Sequence, residues 1–267
     1  MKKVSILGCG WLGFPLAETF LKKGYEVKGS TTSPSKIDQF TKVGIEAFLI
    51  ALTEEKVEGN IAEFLKETDT LIIDIPPGLR KNPKEDFAKK MTLLFTEVEK
   101  SKIKYLIYVS STSVFEDGES IPTYTENDIP NANSSAGQQL IEVEKLWQSS
   151  KMFTTAVVRF GGLIGEDRHP VNYLARRENI QNPHAPVNLI EQKDAMRLLI
   201  RLVEKSIAGV FHGVYPDHPS REIYYSAAAK KRGLEPPIFD QTTNSNGKKI
   251  DTKQTCLLLA FKFLHQP

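Results

Sequence analysis

Two hydrophobic rhythms alternate along the first 160 residues of this 267-residue chain. Short apolar runs at Val4–Leu7, Tyr25–Gly29, Ala47–Ala51, Thr70–Ile75, Tyr105–Ser110 and Thr155–Arg159 carry the pattern of buried strands. Between them apolar positions recur at helical spacing. Leu12, Leu16, Phe20 and Leu21 share one face ahead of a stop at Gly24, and similar patterns cover Pro34–Val43, Ile61–Lys66, Glu85–Lys100 and Ser135–Ser149. Runs such as Leu71-Ile72-Ile73 and Leu106-Ile107-Tyr108-Val109 suit central strands covered by helices on both faces. The alternation predicts an α/β fold with a parallel, doubly wound sheet, whose ligand crevice lies at the carboxyl ends of the strands. The loops Gly8–Gly13, Ser30–Lys36, Asp74–Leu79, Ser110–Asp117 and Gly161–Pro170 all fall at that end.

After Gly161 the rhythm changes. Short strands near Val187–Ile190 and Gly209–Tyr215 mix with helical patterns at Lys193–Lys205, Arg221–Arg232 and Lys253–Ala260, separated by breaks such as Asn182-Pro183 and Glu235-Pro236-Pro237. The first strand itself runs straight into Gly8-Cys9-Gly10-Trp11-Leu12-Gly13, a Gly-x-Gly-x-x-Gly between strand and helix. That is the context a dinucleotide fingerprint needs. Gly8 allows the tight turn, Gly10 lets backbone approach a pyrophosphate, and Gly13 lets the helix pack close to the strand. Unpaired amides and the dipole at the helix start then hold phosphates. Pro15 fits the first turn, where its missing N–H costs nothing. Gly8, Cys9, Gly10, Trp11, Leu12 and Gly13 are therefore candidate cofactor contacts. The expected organisation is a Rossmann-type domain over residues 1–160 and a smaller C-terminal substrate lobe over residues 161–267, with segments free to return to the main sheet.

Lys2-Lys3 and the apolar residues before Cys9 imitate a lipoprotein signal, but only Val4 to Leu7 intervene, far short of the ~7–15 residues of an export segment. No apolar run reaches the ~18 residues of a membrane span. A net charge of +2 creates no field for nucleic acid. Two cysteines, Cys9 and Cys256, make no disulfide framework and suggest a reducing cytosol. Five scattered histidines without His-x-x-His or Cys-x-x-Cys spacing give a metal site no support. The expectation is a cytoplasmic protein whose partner is a small molecule, its oligomeric state open.

In NAD enzymes an acid at the end of the second strand binds the ribose hydroxyls. Here that strand ends in Ser30-Thr31-Thr32-Ser33-Pro34-Ser35-Lys36, with no acid. Hydroxyls and one ammonium suit a ribose 2′-phosphate, which a carboxylate would repel. The same residues also read as a helix start, with Ser33 as cap and Lys36 in water. Both can hold, and Ser30, Thr31, Thr32, Ser33 and Lys36 favour NADP(H) over NAD(H).

Together these motifs resemble the extended short-chain dehydrogenase/reductase superfamily, specifically atypical members of the NAD-dependent epimerase/dehydratase family. Beyond the glycine turn, Tyr105–Phe115 resembles the family's fifth strand and serine-rich loop. Val158–Gly165 resembles its sixth strand and the turn into the substrate lobe, and Asn188–Ala195 its strand-into-helix segment. The resemblance implies that Ile75, Pro76 and Pro77 border the adenosine and pyrophosphate, and that Ser110 lines the cofactor site.

Two departures matter. The family's usual glycine spacing would need glycine at Leu7, whereas this chain has Gly8. The family's catalytic Tyr-x-x-x-Lys is missing: alignment of the helix places Ala136 at the tyrosine and Leu140 at the lysine, and Pro130 to Val143 contains neither residue type. Remaining candidates are Ser111, where the family has a catalytic hydroxyl, and Tyr124 in the following loop as a substitute acid. Ser111, Thr112, Arg168 and His169 are candidate substrate contacts, Arg168 for an anionic group because its planar fork suits phosphate or carboxylate. The implied function is an NADP(H)-dependent oxidoreductase or epimerase acting on a nucleotide sugar or small carbonyl compound by a non-standard proton relay. A catalytically inactive dinucleotide sensor or regulatory protein is the alternative.

Overall fold

The computed structural model describes residues 2–79 and 82–267. Along the chain run β1 (Lys3–Leu7), α1 (Gly13–Lys22), β2 (Glu26–Thr31), α2 (Ile37–Lys42), β3 (Glu46–Leu49), α3 (Ile61–Leu65), β4 (Thr70–Ile73) and α4 (Phe87–Glu99). They are followed by β5 (Tyr105–Ser111), α5 (Ser135–Ser149), β6 (Thr154–Phe160), α6 (Val171–Leu174), α7 (Gln192–Lys205), β7 (Gly209–Gly213), α8 (Arg221–Lys231) and α9 (Lys253–Leu259). The seven strands form one parallel sheet in the order β7-β6-β5-β4-β1-β2-β3. This is the Rossmann-type doubly wound arrangement. Its strand order reverses between β1 and β4, and a crevice opens at such a switch point.

Alternation along the central strands separates two cores. Ile6, Ile72 and Ile107 point to the side packed by α1 and α7, with Leu16, Phe20, Leu198 and Leu199. Leu7, Leu71, Ile73, Leu106 and Tyr108 point to the other side, with Phe64, Met91, Leu94 and Trp147 from α3, α4 and α5. Burial on both faces explains why these strands read as unbroken apolar runs. A third cluster, including Ile164, Val171, Leu189, Tyr225 and Phe239, sits among the later elements. There Gly162–Ile164 pairs in parallel with Leu189–Glu191, and Thr123–Tyr124 with Lys249–Ile250.

Element ends depart from the sequence pattern where a partner decides them. β2 continues to Thr31 because Ser30 and Thr31 pair with Phe48 and Leu49 of β3. β3 stops at Leu49, and Ala51–Leu52 turns away to pair antiparallel with Val57–Glu58. The segment beginning at Pro34 opens as a tight 3-10 turn before α2. α5 begins where expected: Ser134 caps it by accepting the Gly137 amide at 3.2 Å.

A buried ion pair braces the carboxyl end of the sheet. Arg159 on β6 and Glu144 on α5 are 3% and 2% exposed, with Nη2 to Oε2 at 2.7 Å. Ser110 Oγ donates to Glu144 Oε1 at 2.6 Å, and the guanidinium lies 5.0 Å from the Phe115 ring centroid. Removing one partner leaves the other charge buried and alone. Arg159→Met should therefore destabilise the protein by about 3–5 kcal/mol in urea unfolding. A loss below about 1 kcal/mol would show that Glu144 finds another partner.

Candidate functional site

The glycine turn sits on the switch point, and each glycine has its own physical reason. Gly8 adopts φ +105°, and a Cβ there would overlap the carbonyl oxygen of Asp74, the residue that follows β4. A Cβ on Gly13 would overlap the Gly8 carbonyl oxygen, so α1 packs this closely on β1 only with glycine. Gly10 differs: nothing lies within 4 Å of its added Cβ. Its face of the turn is open. Among the described residues, the Trp11 and Leu12 amides donate to no protein acceptor, while Gly10 and Phe14 close the turn onto Gly8 O and Gly10 O. Free amides at a helix start beside open space fit a diphosphate. The Cys9 side chain points the other way, 4% exposed, filling the notch beside Gly29, and burial pushes its thiol up to about 12. Leu12 is likewise a core residue through its side chain.

A cavity of about 360 Å³ opens from this turn. Gly8, Cys9, Gly10, Ser30, Thr31, Thr32, Lys36, Ile75, Pro76 and Pro77 all border it, together with Ile50, Leu52, Glu85 and Lys90. Within the ribose loop the hydroxyls have different fates. Ser30 is buried and its Oγ accepts the Gly8 amide at 2.9 Å, so it holds the turn. Thr31 Oγ1 accepts the Ser33 amide at 3.1 Å, and Ser33 Oγ bonds Ser35 Oγ at 2.9 Å. Thr32 and Lys36 are exposed on the cavity rim.

A second cavity of about 160 Å³ shares Asp74, Ile75, Pro76 and Pro77 with the first and continues past Ser110, Ser111, Leu140, Phe160 and Leu163. Ser111 thus reaches the cleft; its Oγ accepts the Ser113 amide at 3.1 Å and donates to Ser113 Oγ. Ser110 borders the cleft, but its hydroxyl is engaged by Glu144. Leu140 faces the same space from α5, and no tyrosine or lysine lines it among the described residues. Asp74 is the one ionisable side chain among the described residues that does. Part of it still meets the cleft, yet protein surrounds the carboxyl, and this burial pushes its pKa up to about 7 against the opposing pull of Arg168 and the Gly13 amide. Its position at the start of the loop after a central strand is the signal in the sequence that could have found it.

Three candidates lie apart from this cleft. Tyr124 borders neither cavity; it stacks on Phe115 at 4.3 Å, donates to Glu116 O and accepts from Asn131. Its hydroxyl is held by backbone and amide, which corrects the expectation of a substitute acid. Thr112 is 8% exposed at the start of a 3-10 turn, outside both cavities. His169 is buried against Tyr224, with Nδ1 accepting the Val171 amide at 3.1 Å and Nε2 meeting Tyr224 Oη at 2.9 Å. Both ring nitrogens are engaged in the third core, so it does not face the cleft as a substrate contact.

Arg168 behaves differently again. Its guanidinium lies 4.9 Å from the Trp11 ring centroid, over the glycine turn. Trp11 itself is docked to the later half of the chain: Nε1 donates to Asp167 at 2.9 Å, and its carbonyl accepts Gln192 Nε2 at 2.7 Å. Among the described residues no helix is long and apolar enough to cross a membrane, and no group of three or more His, Cys, Asp or Glu could hold a metal ion.

Fold and turn together define a Rossmann-type protein with an NAD-binding-domain architecture; residues 3–123 match the family described as the NAD binding domain of 6-phosphogluconate dehydrogenase. The chain belongs to the family of Protein YeeZ from Escherichia coli (strain K12), with 31% identity over 98% of this chain and 96% of that protein. Its structural neighbours are NAD-dependent epimerase/dehydratase-type Rossmann proteins. One is MoeE5 in complex with UDP-glucuronic acid and NAD, with TM-score 0.80 and 17% identity over 99% of this chain and 94% of that one. Another is the UDP-N-acetylglucosamine 4-epimerase from Bacillus cereus, with TM-score 0.79 and 17% identity over 99% and 95%. At such identities the likeness is one of fold.

Burial, reinforced by Arg232, lowers the His169 pKa from 6.5 to about 4. As pH falls, the unfolded chain takes this proton before the folded protein does. The histidine's contribution is therefore complete above pH 6.5 and is lost as pH drops from 6.5 toward about 4. His169→Gln should flatten that part of the stability–pH curve in thermal melts at pH 7, 6 and 5. Parallel curves for the two proteins would show that the ring titrates normally.

Proposed function

We propose that this chain binds NADP(H) at the glycine turn and acts as an oxidoreductase or epimerase-type enzyme, of the atypical extended short-chain dehydrogenase/reductase kind, on a small carbonyl compound. The observation that carries the reading is the cradle itself: Gly8 and Gly13 are sterically required, whereas Gly10 and the free Trp11 and Leu12 amides leave room and donors for a diphosphate. Such a cofactor would be held by that turn, with Ile75, Pro76 and Pro77 as one wall, and would supply the hydride. Thr32 and Lys36 support a 2′-phosphate: no acid stands at the end of β2, and Lys36 makes no ion pair among the described residues. Ser111, at the end of β5, borders the second cavity and would turn its hydroxyl from Ser113 to a carbonyl oxygen. Among the described residues the second cavity is small, mostly apolar, and lined by no lysine or arginine. This favours a small carbonyl over a nucleotide sugar, whose diphosphate calls for cations.

Gly10→Glu should fold with an unchanged melting temperature, because its side chain enters open space, and yet lose NADPH binding in a fluorescence titration. Retained affinity would place the diphosphate elsewhere. Lys36→Glu should weaken NADPH at least tenfold relative to NADH, about 1.4 kcal/mol; an unchanged ratio would reduce the loop to a helix start. The activity is tested by following NADPH oxidation against a panel of small aldehydes and ketones, with Ser111→Ala expected to lower any rate found by about 100-fold. Tight NADPH binding with no turnover across the panel would leave a dinucleotide sensor.

A further inference from the structure

Asp74 borders both cavities and is the point where they meet. The backbone fixes it there: its amide donates to Leu7 O at 2.9 Å, and its carbonyl is wedged against Gly8. The charged groups around it can be named element by element. From the start of α1 the Gly13 amide, and from the Gly165–Pro170 loop the Arg168 guanidinium, favour its ionised form. From the turn after β1 the buried Cys9 thiol lies near enough to feel its charge. Across the larger cavity Glu85 and Lys90 pair with each other, and Lys36 stands at the far rim. Burial opposes ionisation and is the largest effect, so the side chain is poised near pH 7.

A diphosphate on the Trp11 and Leu12 amides would bring negative charge against this carboxyl and compete with it for Arg168 and the positive end of α1. We propose that Asp74 takes up a proton when the dinucleotide binds, linking cofactor affinity to pH through this one side chain. The inference rests on the dinucleotide reading above. Protonated, Asp74 is a hydrogen-bond donor instead of an anion, and it no longer competes with the diphosphate for the field of Arg168. The proton it gains borders the cavity of Ser111, where reduction of a carbonyl consumes one.

The test titrates NADPH into wild type and Asp74→Asn at pH 7, 8 and 9, above the ~6 second pKa of a phosphate monoester. Calorimetry in two buffers of different ionisation enthalpy counts protons in the wild type without relying on any variant. Wild-type Kd should rise with pH, by at most about tenfold per unit, with uptake of up to about one proton. Asp74→Asn, which keeps the size and an oxygen acceptor, should bind with a nearly constant Kd and no uptake. In Arg168→Ala the rise should begin at higher pH, since the guanidinium no longer favours the carboxylate. A constant wild-type Kd, no proton uptake, or the same slope in Asp74→Asn would overturn the inference while leaving the dinucleotide reading intact. No binding by wild type even at pH 7 would overturn both.

Discussion

The contact on which the rest of this structure depends is between two pieces of backbone. The turn after β1 presses on the residue that follows β4, with Gly8 against the Asp74 carbonyl, while the start of α1 presses on the turn itself, with Gly13 against Gly8. Three segments converge at the switch point with no side chain between them. That closeness leaves the amides of Trp11 and Leu12 without a protein acceptor among the described residues and brings an acid to the crevice that Gly8 and Gly10 border. A wider turn would fill the space with side chains and bury the helix start.

Beside this point one aromatic residue ties the turn to the later part of the chain. Trp11 occupies a variable position of the glycine motif, yet it bonds to Asp167 and Gln192, supports Arg168 and abuts Gly165. The Gly165–Pro170 loop and the start of α7 are therefore tied directly to the turn. On the opposite wall, α5 presents Leu140 to the cleft and Glu144 to Ser110 and Arg159. A helix face that in the resembling family handles protons is here a brace for the end of β5.

Most of the architecture was legible in the sequence because it rests on local periodicity. Strands buried on both faces gave unbroken apolar runs, and α5 spans the residues its helical pattern predicts. Strand ends were less legible, because β2 and β3 stop where neighbours stop pairing. That the glycines form the turn after β1, and that the loop after β2 and Ser111 lie at the carboxyl ends of the strands beside the cavities, could be read from order and spacing. Tyr124 and His169 could not, since the groups that hold them, Phe115 and Asn131 for one and Tyr224 for the other, approach through tertiary packing. Ser30 looked like a ligand hydroxyl and serves the Gly8 amide instead. Asp74 was visible as an acid before two prolines, but the burial of its carboxyl and the influence of Arg168 and the Gly13 amide on it exist only once the sheet is assembled.

Cys9 gives this packing a practical use. Its sulfur is sealed in the notch beside Gly29, directly beneath the glycine turn, and its thiol stays protonated at any physiological pH. At 4% exposure Cys9 is shielded from alkylating reagents while the turn stays seated on the sheet, whereas Cys256 is half-buried. The rate at which Cys9 is modified is thus a clock for the opening of the crevice floor. It is an internal reporter of local breathing that needs no label, placed where a ligand clamping the turn would slow it.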